Sequence, residues 1–205
     1  RVGEIQNLCV KYGKKMVVYL SMGFGNPYGD LWSPELVAQW SETLYKNFEI
    51  KNQALSDTIG CATPENTKNL FEVLIPANPN VEFSAHMHVQ KGQAISILNA
   101  AYESGCRKFE GALKGSGGCP MAKDDLTGNM PTEVMLAWFE SKGVETGIDS
   151  NKLFKNLMRY RDLADENNLN KDQLIRSYLD LCRFHPVSFG VGSEANPEKG
   201  KIKAM

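Results

Sequence analysis

The sequence predicts a parallel α/β fold, and three observations carry that prediction. Short apolar runs alternate four times with amphipathic helical segments, and strand and helix in strict alternation are the signature of parallel βα units. Two of the helices open on the same Ser/Thr-Pro-Glu device, Ser33-Pro34-Glu35 and Thr63-Pro64-Glu65, which supplies an N-cap, a first-turn proline and an acidic first turn. The residues best suited to chemistry fall at the carboxyl ends of the strands, where the loops of such folds form the reactive rim.

In chain order, residues 2–13 read as the last turns of an amphipathic helix stopped by Gly13, with Ile5, Leu8 and Cys9 on one side. The chain therefore opens in mid-helix, on Arg1 without an initiator Met, which predicts a piece of a longer protein. Residues 16–22 (MVVYLSM) are too short for a buried helix and predict a strand covered on both faces. After the loop 23–32 comes a helix with the stripe Leu36, Val37, Trp40 and Leu44. The unit repeats as a strand over 51–57 and a helix carrying Leu70, Phe71, Leu74 and Ile75. It repeats again as a strand over 81–88 and a helix over 92–104 with Ala94, Ile95, Leu98 and Tyr102 inward. A fourth strand, 108–113, runs into a glycine-rich segment, and Pro131-Thr132-Glu133 opens a helix to Lys142. Residues 1–148 thus form one βα domain. Residues 149–191 form a helical extension marked by Leu153, Phe154 and Leu157, then by Leu174, Ile175, Tyr178 and Leu179. Residues 192–205 form a polar, disordered tail.

Composition narrows the function. The formal net charge of −1 gives no electrostatic case for nucleic acid or for an anionic membrane surface. No apolar run approaches the ~20 residues of a membrane span, and no signal-peptide pattern opens the chain, so a soluble protein is expected. The five cysteines are scattered and without CxxC spacing, which argues for reduced thiols in an intracellular compartment rather than a disulfide frame or a zinc ribbon.

The most unusual stretch is 111–129, GALKGSGGCPMAKDDLTGN. Its glycines, Gly117 and Gly118 among them, deny it a stable helix or strand and hold a reactive residue, Cys119, beside Pro120. A flexible surface connection is the alternative. On the third strand His86 and His88 project to one face with Glu82 and Ser84, while Val81, Phe83, Ala85 and Met87 face the other way. Two imidazoles side by side suit either a divalent cation or a pair of hydrogen-bonded structural histidines. Asn129 offers an amide oxygen, which beside two imidazoles favours Mg²⁺ or Mn²⁺, or else it caps the following helix. Asp57 suits a general acid/base, a carboxylate supporting the ligands, or a cap on the next turn. Tyr19 points to the rim or packs inside. His185, before Pro186, reads as structural.

Taken in order, YLSMGFGNPYG, SDTIGCATP, AHMHV-x-x-GQA and GSGGCPMAKDDLTGN followed by Pro-Thr-Glu resemble the second half of a hydroxymethylglutaryl-CoA lyase, over residues 1–148. Isopropylmalate and homocitrate synthases share the His-x-His but lack the GGCP loop with its cysteine. The resemblance implies a (β/α)8 TIM barrel, to which this chain supplies strands five to eight. It implies a lyase that cleaves a 3-hydroxy-3-methylglutaryl-CoA-type thioester to acetyl-CoA and acetoacetate. His86, His88 and Asn129 are then metal ligands for Mg²⁺ or Mn²⁺, Cys119 the catalytic thiol and Asp57 a catalytic carboxylate. Tyr19, Gly117 and Gly118 line the substrate site. An acyl-CoA partner, a homodimer and a cytoplasmic location, or the mitochondrial matrix in a eukaryote, follow from the same resemblance. The Asp-x-Arg-Glu motif of strand one, which supplies the family's remaining ligand, does not occur here, so this stretch alone is expected to be inactive. Two departures stand out: Val89 follows His-x-His where the family carries an acidic or amide residue, and Cys119 and Asn129 lie one residue further apart. The alternatives are a Claisen-type condensing synthase on the same scaffold and a non-catalytic half-barrel acting as a binding module.

Overall fold

The computed structural model describes residues 1–90, 92–117, 128–153, 155, 157, 203 and 204. Phe154 and all the marker residues from Leu174 to His185 lie outside that set. The first helix, α1 (Val2–Lys11), is followed by β1 (Val17–Leu20), α2 (Pro34–Phe48), β2 (Asn52–Asp57), α3 (Pro64–Ala77), β3 (Glu82–Val89), α4 (Ala94–Glu103) and β4 (Lys108–Glu110). A 3-10 turn (Leu113–Gly115), β5 (Gly128–Asn129), α5 (Thr132–Ser141) and β6 (Lys203–Ala204) complete the order. The sheet runs β1-β2-β3-β4-β6 with every neighbour parallel, and β5 returns antiparallel onto β3. Of the stretch 192–205 only β6 is described, set beside β4 with Lys203 opposite Lys108 and Ala204 opposite Phe109. This is the alternating architecture that the patterning predicts.

The local signals act as their chemistry requires. Ser33 Oγ accepts from the Leu36 amide at 3.2 Å and so opens α2. Thr63 and Asn66 form a reciprocal capping box, with Asn66 N–H donating to Thr63 Oγ1 at 3.1 Å and Thr63 N–H to Asn66 Oδ1 at 2.7 Å. The amide oxygen of Asn66 thus does what a glutamate does in the commoner form of that box. At the far end of α2, Glu49 takes a left-handed conformation and closes the helix.

Strand parity divides the sheet into two chemically different faces. In parallel pairing, residues opposite one another share a face. One row is Val18, Gln53 and Phe83, and another is Leu20, Leu55 and Ala85, followed by Phe109 on β4. This face meets the helices, and its Leu55, Phe83, Ala85, Met87 and Phe109 join Leu70, Phe71 and Leu74 of α3, Ile97 and Leu98 of α4, and Trp138 and Phe139 of α5 in one core cluster. Tyr102 packs edge-on against both Trp138 and Phe139, with ring centroids 5.4 and 5.9 Å apart. The opposite face carries the rows Tyr19–Ala54–Ser84 and Ser56–His86–Glu110. It is polar.

Three expectations are corrected. The first strand is shorter than 16–22 and is not covered on both faces: Tyr19 is 45 % exposed, because β1 pairs only with β2 and stands at the sheet edge among the described residues. Helix α1 buries nothing, and Ile5 and Leu8 are exposed. In α2 the buried stripe is Val37, Ser41 and Leu44, while Leu36 and Trp40 lie outside it. The stripe is rotated because Ser41 faces β2, where its carbonyl accepts from the buried Gln53 Nε2 at 3.1 Å. A polar pair at the helix–sheet contact thus displaces a tryptophan. Since Phe71 is fully buried within the core cluster, Phe71→Ala should lower the unfolding free energy by about 3–5 kcal/mol, measured by urea denaturation.

Candidate functional site

The polar face and the ends of its strands form the candidate site. Parity brings His86 and His88 out on one side of β3, as the sequence requires, with ring centroids 5.6 Å apart. His86 is half-buried and His88 buried. Beyond the glycine segment the chain comes back as β5, pairing Asn129 with His88 and Gly128 with Val89, and the Met130 amide donates to the Met87 carbonyl at 2.8 Å. An antiparallel return onto the end of a parallel strand is what carries Asn129, 41 residues further along, to the imidazole pair. Asn129 is therefore the cross-strand neighbour of His88, whose ring in turn lies beside that of His86.

The stem of the glycine segment is held tightly at both ends. Lys114 takes a left-handed backbone (φ 60°), and its amide donates to both Glu133 carboxylate oxygens, at 2.8 and 3.0 Å. A Cβ on Gly115 would sit 2.7 Å from the Asn129 carbonyl, and one on Gly128 would sit 2.7 Å from the Gly115 carbonyl. Only glycine allows the two strands of the stem to approach so closely. Gly117, at φ 87°, accepts from the Asn129 amide at 3.4 Å, and its missing side chain leaves room for Asn129 Nδ2. That nitrogen donates to the Ser116 carbonyl at 2.8 Å, which fixes the amide and leaves Oδ1 as the atom with lone pairs to offer. Gly118 and Cys119 lie outside the described residues.

Tyr19 belongs to the site face and not to the helical core. Its ring stands edge-on to His86, centroids 5.4 Å apart, and its hydroxyl donates to Glu110 Oε2 at 2.7 Å. Burial, reinforced by the Glu110 hydrogen bond and charge, pushes the Tyr19 hydroxyl up to about 12, so it stays protonated as a donor at neutral pH. Glu110 was not singled out by its sequence context, yet it is the centre of this face. It accepts from Tyr19, from Ser84 Oγ at 3.2 Å and from His86 Nδ1 at 3.1 Å. Burial pushes the Glu110 carboxyl up, but the hydrogen bonds from His86, Tyr19 and Ser84 outweigh it and hold the group below the usual range. The signal that could have found it is parity carried across to β4, which puts Glu110 in the His86 row.

Asp57 is placed differently. Register sets it beside Met87, and it is Ser56 that shares the row of His86 and Glu110. The Asp57 carboxylate is buried and builds the loop that follows: Oδ1 accepts from the amides of Ile59, Gly60 and Cys61, and Oδ2 from the Ala62 amide at 2.6 Å. The Cys61 thiol also lies 3.5 Å from Oδ1, and burial, with the Asp57 charge, pushes that thiol up to about 12. Burial does the same to Cys106. Neither thiol has the accessible, electropositive setting of a reactive cysteine.

Among the described residues no group of three or more His, Cys, Asp or Glu side chains is placed to hold a metal ion. What the end of β3 offers is two imidazoles and, across the pairing with β5, a residue with a side-chain amide. The types fit a hard divalent cation, and the set lacks a carboxylate. Among the described residues, too, no helix is long and apolar enough to cross a membrane.

The HMGL-like family model matches residues 4–158. The hydroxymethylglutaryl-CoA lyase of Pseudomonas mevalonii is 35 % identical over 133 residues, which make up 64 % of this chain and 43 % of that protein. The lyase YngG of Bacillus subtilis is 32 % identical over 150 residues, 73 % of this chain and 50 % of its own length. The crystal structure of the Bacillus subtilis HMG-CoA lyase superposes with a TM-score of 0.70 at 30 % identity, covering 80 % of this chain and 54 % of that one. This chain thus spans about half the length of the curated relatives it matches, and its βα units are a partial TIM barrel. With residues 4–158 matched and the sheet, the histidine pair and the glycine stem in this order, the chain belongs to the HMGL-like family.

Proposed function

We propose that the protein containing this chain is a hydroxymethylglutaryl-CoA lyase, splitting a 3-hydroxy-3-methylglutaryl-CoA-type thioester into acetyl-CoA and acetoacetate. The observation that carries this reading is the return of β5 onto β3, which sets Asn129 opposite His88, the ring neighbour of His86. The lyases among the relatives agree with it.

The reaction must break a carbon–carbon bond beside a tertiary alcohol. The alcohol gives up its proton, the bond's electrons pass to the acetyl-CoA carbon as an enolate, and a proton is then delivered to that carbon. His86, His88 and Asn129 would hold Mg²⁺ or Mn²⁺, with a carboxylate from elsewhere in the protein completing the set. When bound, such a cation supplies Lewis acidity toward the oxygens of the alcohol and carboxylate. In this reading Cys119 is the proton donor to the enolate carbon, a role that suits a thiol because the unperturbed group has a pKa of about 8.5, near neutral pH, whereas burial pushes Cys61 and Cys106 well above it. In this reading Gly117 and Gly118 bind the substrate, and Tyr19 lines the site beside His86. Asp57 serves first by holding the loop 58–62; acting as a base would use the lone pair that Oδ2 keeps beside the one given to the Ala62 amide.

His86→Ala should abolish high-affinity Mn²⁺ binding in calorimetry, and unchanged affinity would remove the imidazole pair from the metal. Cys119→Ala should lower turnover about 100-fold with little change in Mn²⁺ affinity; wild-type turnover in that variant would take the thiol out of the chemistry. Asp57→Asn keeps one acceptor and sets an amide N–H against the Ala62 amide, so stability should fall by about 1–3 kcal/mol in urea melts. A stable Asp57→Asn protein with turnover down about 100-fold would instead make Asp57 the base.

A further inference from the structure

The polar face holds a carboxylate beside His86 that no step above uses. Glu110 sits at the end of β4, half-buried, with its carboxylate shared among three donors on two other strands: Tyr19 of β1, and Ser84 and His86 of β3. A carboxylate has no proton to donate, so the ring nitrogen that faces it at 3.1 Å, Nδ1 of His86, must carry the hydrogen. In a neutral imidazole that leaves Nε2 as the atom with the lone pair. Tyr19 then reinforces the same orientation twice, since its hydroxyl holds Glu110 from one side while its ring stands perpendicular to that of His86, centroids 5.4 Å apart. The residue after His-x-His gives no such support: Val89 is buried in the hydrophobic cluster, on the side of the helices.

We infer that Glu110 is the positioning residue of the site: bridging Tyr19, Ser84 and His86, it locks the His86 ring in the Nδ1–H tautomer and keeps Nε2 available to a divalent cation. The inference rests on the reading of His86 as a ligand, and the role is positional because Glu110 acts through the imidazole. Hydrogen-bonded carboxylates of this kind raise the basicity of a ligating histidine and fix its rotation, and their loss typically lowers metal affinity about 10–100-fold.

The test uses the full-length protein with ¹⁵N-labelled histidine, free of metal, the His86 signals being assigned by comparison with His86→Gln. The wild-type ring should show Nδ1 protonated and Nε2 bare. Glu110→Ala should lose that preference and bind Mn²⁺ about 10–100-fold more weakly in calorimetry. Glu110→Gln, whose amide oxygen still accepts from Nδ1–H, should lose less than alanine does. A wild-type ring protonated at Nε2, or a folded Glu110→Ala protein with unaltered tautomer and Mn²⁺ affinity, would overturn the inference. Should the alanine variant fail to fold by circular dichroism, Glu110→Leu, which fills the space without offering an acceptor, decides: unaltered tautomer and Mn²⁺ affinity there count against Glu110. Absence of Mn²⁺ binding by the wild type would overturn the cation reading itself, while the tautomer still shows whether Glu110 holds the ring.

Discussion

A strand inside a parallel sheet cannot present a side chain upward without committing its neighbours downward, and β3 is where that constraint has most effect. Phe83, Ala85 and Met87 are drawn to the helices because burial of apolar surface stabilises the fold, and their placement forces Ser84, His86 and His88 to the other side. The hydrophobic core is thus what aims the imidazoles. No separate device is needed to bring two histidines together on a polar face; each helix-facing contact of β3 contributes to it. The same rule, carried through the register, selects Glu110 on β4 and Tyr19 on β1 as their companions.

What could be read from the sequence follows the range of each signal. The alternation of strands and helices was legible, since the apolar periods and the Ser/Thr-Pro-Glu starts act within a few residues. The faces of β3 were legible for the same reason. The rotation of α2 was not, because it depends on Gln53 reaching the Ser41 carbonyl across a helix–sheet contact that no local pattern encodes. The exposure of Tyr19 was not legible either, being set by β1's place at an edge.

The site shows the same division. His86, His88 and Asn129 stand out in the sequence because their residue types are suggestive and the family pattern orders them, and the structure pairs Asn129 with His88. Glu110 was missed, although it is as polar and as near a strand end as Asp57, because its meaning lies in three partners on two other strands. Asp57 illustrates the reverse. A carboxylate at a strand end invites a catalytic role, yet four backbone amides of the following loop converge on it. A loop that turns away from a buried strand end must satisfy its own N–H groups, and Asp57 does so.

The two-ended fastening of the glycine stem bears on how this family can vary. Glu133 grips the backbone at Lys114 on the way out, and the contact of Gly115 with Gly128 and Asn129 closes the segment on the way back. Asn129 is therefore anchored to the sheet independently of the number of residues between the fastenings. A change in length between the fastenings leaves the contacts of Gly115 with Gly128 and Asn129, and the pairing of Asn129 with His88, where they are. Segment length and the placing of Asn129 become separate evolutionary variables, so one can drift while the neighbour of His88 is inherited unchanged.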